Sequence, residues 1–296
     1  MTTPDDIYLV LLTKPARNLT VAYLQRIADA VEAEQAGVKA RVVTKSLIDQ
    51  LALMPLWRRP TLSLALHNSR RRLLPGRFLT GRYMNKAKEL TLLQDAGVPV
   101  PDWQIIGPDT QLAPEEWGPY VVEKPTHGAY GANIVIRRAG RVRFKPMDAY
   151  PEDHRGSKGP MIAQRFVYTG PWPVSYRVFT LFGEALYCQR NISHGHGKPL
   201  EERWGFGRGR GGINIVANTR DMTAELVDDH EVISLAERAH RMAFPDLPTL
   251  GFDIVRDCET GQLYVLECHP SGFWMLNRLA DIGVMKDNNI NYETQF

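Results

Sequence analysis

Leu250-Gly-Phe-Asp-Ile-Val-Arg256 is an apolar run of strand length with one carboxylate inside it. A second run, Gln262-Leu-Tyr-Val-Leu-Glu-Cys-His-Pro270, follows a Glu259-Thr-Gly261 turn and also carries an acid in its interior. Two such runs on either side of a short turn predict paired antiparallel strands. An acid inside a strand loses its hydration unless a cation or a hydrogen-bonding partner replaces it. Asp253 and Glu267 then stand as neighbouring oxygen donors, an arrangement that suits Mg²⁺, a hard cation that completes its shell with water and phosphate oxygens. Two unrelated buried ion pairs are the other explanation, and these residues alone leave it open.

Working upstream, Met161-Ile-Ala-Gln-Arg-Phe-Val167 reads as a strand. Tyr176 to Leu186, with Val178, Thr180 and Phe182 alternating before a Gly183-Glu184 turn, reads as a hairpin that begins with Arg177 beside it. Further upstream, Tyr120-Val-Val-Glu-Lys-Pro125 is a strand ending in lysine and proline. It leads through Thr126-His-Gly-Ala-Tyr-Gly131 into a second strand, Asn133-Ile-Val-Ile136. Small residues in such a turn let backbone N–H groups approach a phosphate closely, and a lysine at the strand end adds a point charge. An ordinary hairpin explains the turn equally well. Asn85 to Gly97 reads as an amphipathic helix ended by glycine, and Val98-Pro-Val-Pro101 forces an extended exit.

Before residue 84 the pattern changes. Ile7-Tyr-Leu-Val-Leu-Leu12 reads as a buried strand, and Asn18 or Thr20 caps a helix with Val21, Leu24, Ile27, Ala28 and Val31 at helical spacing. Gly37 closes that helix, Val38 to Val43 is a second strand, Ser46 caps a short helix, and Leu62 to Leu66 is a third strand. This β-α-β order predicts a parallel α/β layer. No GxGxxG follows the first strand, so nothing supports a dinucleotide site there. Arg58, Arg59, Arg70 to Arg72, Arg77 and Arg82 make the end of this region basic, either as a solvated surface or as a site for an acidic partner.

The chain has 296 residues, 44% of them apolar, and a formal net charge of +3, which bounds the classes it can belong to. That is enough apolar surface for a sizeable core and too little charge to argue for nucleic acid. No apolar stretch approaches the roughly 20 residues needed to span a bilayer. The acidic N-terminus lacks the basic start of a secretory signal. Cys188, Cys258 and Cys268 have neither disulfide-framework nor zinc spacing, so a reducing, cytoplasmic setting is expected. The glycine-dense stretch His194-Gly-His-Gly-Lys198 through Trp204-Gly-Phe-Gly-Arg-Gly-Arg-Gly-Gly212 forbids regular structure and is expected to be a loop. Its RGG-like composition leaves open nonspecific RNA binding, and a plain surface loop is the other explanation.

Taken in order, the blocks from residue 84 to 285 resemble the ATP-grasp superfamily, in particular its RimK-type and glutathione-synthetase-like ligases. The resemblance implies an α/β and α+β chain: a small N-terminal α/β domain over 1–83, then an ATP-grasp domain over 84–296 with subdomains of about 84–165 and 166–296. It further implies that Lys86 and Lys124 contact the phosphates of ATP while the loop containing His127, Gly128 and Gly131 closes over them. Gln164, Arg165, Phe166 and Val167 would form the hinge whose backbone recognises adenine. Arg177 and Arg190 would face the phosphates and the reacting carboxylate, and Arg208, with Arg210, would clamp a carboxylate or acylphosphate. Trp204 and Phe206 would help to exclude water.

Asp253 and Glu267 would hold Mg²⁺, and His269 stands where the family usually places asparagine. Imidazole suits Mn²⁺ or Zn²⁺ better than Mg²⁺. His269 is therefore either a ligand for a different metal, a weak position in the site, or a group that acts on the substrate. The hinge has Arg165 where an acid is common, and Ser175 stands where an aspartate often precedes the arginine.

The implied activity is ATP-dependent ligation of a carboxylate to an amine or thiol through an acylphosphate. An ATP-grasp phosphotransferase shares the same motifs, and a non-catalytic nucleotide-binding module is a third class. Small-molecule or peptide substrates are expected, no membrane partner is, and a homo-oligomer stays open.

Overall fold

The computed structural model describes residues 6–13, 18–44, 46–65, 72–128, 131–203, 206–208 and 222–269. Its first sheet comprises β1 (Ile7–Leu12), β2 (Val38–Val43), β3 (Thr61–Ala65) and β4 (Arg77–Thr80), ordered β2-β1-β3-β4 and parallel throughout. Helix α1 (Asn18–Glu34) connects β1 to β2 and buries Leu24, Ile27 and Ala28, the expected apolar stripe. Gly37 takes the left-handed φ of +82° that lets the chain turn out of the helix. Ser46 Oγ accepts from the Asp49 amide at 3.1 Å to open α2 (Leu47–Leu51), as its position predicts. Strand β4 was not expected. It follows the basic segment, where Arg72 folds back onto the carbonyls of Leu74 and Pro75.

Helix α3 (Lys86–Asp95) leads into a second, antiparallel sheet. That sheet contains β5 (Trp103–Ile105), β6 (Tyr120–Pro125), β7 (Val135–Arg138) and β8 (Met161–Arg165) in the order β5-β8-β6-β7, and the single turn α4 (Pro114–Trp117) precedes β6. The strand expected at Asn133 starts two residues later. Asn133 has a φ of +60° and belongs to the turn. Phe166 and Val167 likewise fall just beyond the end of β8.

The third sheet is antiparallel and ordered β11-β10-β9-β12-β13. It is built from β9 (Val174–Leu181), β10 (Glu184–Ser193), β11 (Met222–Leu226), β12 (Thr249–Arg256) and β13 (Leu263–His269). Phe182 and Gly183 both have positive φ, +51° and +89°, so they form the two-residue hairpin turn themselves. Phe182 therefore leaves the alternation expected of it. Helix α5 (His230–Ala243), capped by Asp229, also lies beyond the expected elements and buries Val232, Leu235, Ala236 and Ala239.

The third sheet is buried on both faces. Val178, Phe252 and Ile254 pack with α3 and α5, while Phe179 and Tyr187 meet Leu11, Leu24 and Leu64 of the first layer. Among the described residues no helix is long and apolar enough to cross a membrane.

Candidate active site

β12 and β13 pair so that Asp253 stands opposite Glu267, and β9 places Arg177 opposite Asp253 on its other side. The Arg177 guanidinium donates twice to the Asp253 carboxylate, Nε to Oδ1 at 2.7 Å and Nη2 to Oδ2 at 2.9 Å. His269 Nε2 lies 3.2 Å from Asp253 Oδ2 and 3.4 Å from Glu267 Oε1. Lys86 Nζ completes the cluster, 3.0 Å from Glu267 Oε2 and 3.3 Å from the Gly128 carbonyl.

Local backbone features aim both lysines. Asn85 caps α3 by accepting from the Lys88 amide at 2.9 Å, which places Lys86 at the first helical position. Just past Asp253 the register between β12 and β13 slips by one, so Leu266 has no residue opposite it. Its carbonyl instead accepts Lys124 Nζ at 3.2 Å, carrying the end of β6 against β13.

The charges hold one another in place. Burial works against the Asp253 carboxylate, yet Arg177 and His269 hold it down at about 2. Burial also opposes the His269 imidazolium, but hydrogen bonds to Asp253 and Glu267 raise it to about 10. Lys124 is pushed down to about 8 by burial, with the Glu267 charge resisting. Glu89, one turn along α3 from Lys86, is raised to about 7 by burial against the pull of Lys86. No motif pointed to Glu89. Its signal was an acid flanked by Leu90 and Leu93 on the inward face of a helix.

Asp253, Glu267 and His269 each offer a ligand atom, all within 4.8 Å of one another. Two carboxylates and an imidazole make a donor set that fits a divalent cation, with Mn²⁺ better served by the imidazole than Mg²⁺. His127 lies in the β6–β7 connection, its Nδ1 3.0 Å from Thr126 Oγ1. Gly128 and Gly131 flank that connection with φ of +154° and +68°. Ala129 and Tyr130 lie outside the described residues. Gln164 is buried on β8 and its Nε2 has no hydrogen-bond partner. Arg165 pairs with Asp102 at 3.6 Å and donates to Tyr264 Oη at 3.2 Å.

Two expected residues are not brought to the cluster. Arg190 stands opposite Tyr176 and Glu225, pairs with Glu225, and lines a cleft of about 430 Å³ with Asp229 and Arg256. The β9–β10 register shifts between Ala185 and Tyr187, which sets Arg177 opposite Gln189. Without that extra residue Arg177 would face Cys188, and Arg190 would share its side of the sheet. Arg208 instead bridges Arg137 of β7, with its side chain exposed. Trp204 and Arg210 lie outside the described residues. A larger cleft of about 590 Å³, between β4 and the Phe182 turn, is lined by Arg77 and Arg82 of the basic segment and by none of the residues expected to bind ATP or metal.

No family model matches the chain, and no curated protein matches it. Solved structures do. D-cycloserine synthetase DcsG aligns at 16% identity with a TM-score of 0.50, over 94% of this chain and 99% of that one. A D-alanine–D-alanine ligase from Bacillus anthracis aligns at 13% identity with a TM-score of 0.50, over 98% of this chain and 94% of that one. This chain has the ATP-grasp fold. Within that ATP-grasp fold, the charged cluster lies where β6 and α3 meet β13.

Proposed function

We propose that this chain binds ATP and a divalent cation between its second and third sheets and ligates a carboxylate to an amine, releasing ADP and phosphate. The observation that carries this reading is the convergence of Lys86, Lys124, Arg177, Asp253, Glu267 and His269 from two sheets and one helix. On this reading residues 1–83 are an N-terminal domain, and 84–165 and 166–296 are the two halves of the ATP-grasp domain.

Asp253, Glu267 and His269 would hold Mg²⁺ or Mn²⁺, which would neutralise phosphate charge and polarise the γ-phosphoryl group. Lys86 and Lys124 bind the phosphate oxygens, and their burial makes each charge count for more than it would in water. His127, Gly128 and Gly131 close over the phosphates, while Gln164 to Val167 receive the base. Arg177 fixes the Asp253 carboxylate and keeps a positive charge beside the transferring group.

A carboxylate is a poor electrophile, because its own charge repels a nucleophile and its oxygen leaves badly. When its oxygen attacks the γ-phosphorus, the bond to the β–γ bridging oxygen breaks and ADP departs. An amine then attacks the acyl carbon, the amide bond forms, phosphate leaves with the bonding electrons, and the amine gives up a proton. Arg190 and Arg208 take no part in this scheme.

The test is to incubate the protein with ATP, Mg²⁺ and a cell metabolite extract and to follow nucleotides and new masses. ADP with a product one water lighter than the sum of two extract components is expected. Release of AMP, or a phosphorylated product with no condensation, would overturn the ligase reading. Lys124→Ala and Glu267→Ala are each expected to lower turnover at least about a hundredfold, the scale of losing one preorganised charge. Near-parental rates in both would remove the cluster from the mechanism.

A further inference from the structure

The basic segment that precedes α3 takes no part in the proposed chemistry, and its last portion lines a cleft. Every residue from Arg77 to Tyr83 borders that cleft of about 590 Å³, facing Phe182, Pro245, Asp246 and Pro248. Successive side chains of a strand point to opposite faces, so a cleft that touches all of β4 runs along its edge and not over one face. The sheet order β2-β1-β3-β4 agrees with this, since β4 ends the sheet and pairs only with β3. The outer edge of such a strand is a template on which another strand can pair.

Arg77 and Arg82 bracket that edge. Both are exposed, and among the described residues neither forms an ion pair. Arg241, which donates to the Gly183 carbonyl of the neighbouring turn, is by contrast paired with Glu184 and Glu237. Asp246 is the one acid on the cleft wall, so two cations face one anion. Phe182 stands on the opposite wall, 52% exposed, at a φ of +51° that a bulky residue rarely adopts. Glycine or asparagine would relieve that backbone, whereas phenylalanine keeps a large apolar group in the wall. Tyr83, also exposed, adds a second ring. A short edge strand flanked by charge resists pairing with copies of itself, and here the flanking charge is all positive. A strand that carries carboxylates is the kind this edge admits.

We propose that this edge takes an extended acidic segment of another protein, added beside β4 as a fifth strand of the first sheet. Arg77 and Arg82 pair with its carboxylates, and Phe182 and Tyr83 pack on its apolar side chains. Main-chain hydrogen bonds give such an added strand affinity of a kind that ignores sequence, and the two guanidinium groups select for acids. The paired stretch is short, because the four residues of β4 extend only roughly 13 Å. The inference does not depend on the ATP reading, since the cleft contains none of the residues placed around nucleotide or metal.

The test uses the full chain and a fluorescein-labelled hexapeptide of alternating glutamate and valine with blocked ends, followed by anisotropy at about 0.15 M salt. Binding is expected, with the matching lysine-valine peptide at least about tenfold weaker. Arg77→Glu combined with Arg82→Glu is expected to weaken the acidic peptide at least about tenfold and to leave the urea midpoint of the protein unchanged. Alternate N–H groups of a strand face one edge, so of two peptides N-methylated on the valines or on the glutamates, one is expected to lose binding. Amide hydrogen exchange is expected to slow within residues 77–80 when peptide is added. No binding at about 1 mM peptide, equal binding of the lysine peptide, parental affinity in the double variant, or full affinity in both methylated peptides would each overturn the proposal. Exchange at 77–80 that slows with the protein's own concentration, without peptide, would give the edge to a second copy of this chain and overturn it too.

Discussion

His269 touches both acids of the cluster, at 3.2 and 3.4 Å, and carries a nitrogen where an oxygen donor would suit a hard cation better. Replacing it with asparagine keeps a short polar side chain and restores a neutral oxygen. His269→Asn is expected to remain active and to raise the ratio of the Mg²⁺-supported rate to the Mn²⁺-supported rate, measured on one preparation. Complete loss of activity with both metals would make His269 a substrate-handling group. Asp253 and Glu267 were legible in the sequence because each is an acid set into an otherwise apolar strand, and Lys124 because it ends a strand before a glycine-containing turn. Such residues need a compensating partner, and that need shows in one dimension. The placement of Arg190 was not legible. One extra residue near Leu186 decides which face of β10 each later side chain takes, and a bulge leaves no mark in hydrophobic patterning.

Helix α5 is tied to the third sheet by a buried polar link. His240 is 1% exposed; its Nδ1 lies 2.7 Å from Thr180 Oγ1 and its Nε2 lies 2.8 Å from the Leu247 carbonyl. With Nε2 donating to the carbonyl, Nδ1 is left to accept from the threonine hydroxyl, the neutral tautomer. Burial lowers the His240 pKa below 6.5, against the pull of the Leu247 carbonyl. Between that lowered value and 6.5 the unfolded chain binds more protons than the folded one, so stability falls as pH drops below 6.5.

Glu89 works in the opposite sense. Its folded value of about 7 exceeds its ordinary 4.5, so its contribution is present below 4.5 and is lost as pH rises through about 7. Comparison with His240→Gln separates the two. Urea midpoints at pH 7.5 and 5.5 are expected to differ less in that variant than in the parent, and an identical difference would remove His240 from the acid response. β1, β2, β6 and α1 could be read directly, since their apolar spacing extends over a full element. β4 is only four residues long and half-buried, too short for any period to register.

At the scale of the molecule, the third sheet joins the layers. Phe179 is fully buried and with Tyr187 fills the contact between that sheet and the first layer, against Leu11, Leu24 and Leu64. Phe179→Ala is expected to cost about 3–5 kcal/mol in urea unfolding, the usual loss for a buried phenylalanine. A change below about 1 kcal/mol would show that the layers do not depend on this contact. The aromatic residues were visible as apolar positions in a strand, but which layer they would meet was not, because a strand's two faces look alike until both are covered.

The chain order of strands, helix caps and turn glycines, and the identity of the acids and lysines that need partners, are properties of short segments, and local spacing alone determined them. Assembly of the cluster is different. Lys86 reaches Glu267 and Lys124 reaches Leu266 across 181 and 142 positions of chain. Those contacts exist only because two sheets and a helix converge and a bulge between β12 and β13 frees the Leu266 carbonyl for Lys124. Registers and bulges are chosen by the packing of whole sheets, whose energy is shared among many residues, so no single stretch of sequence carries the decision.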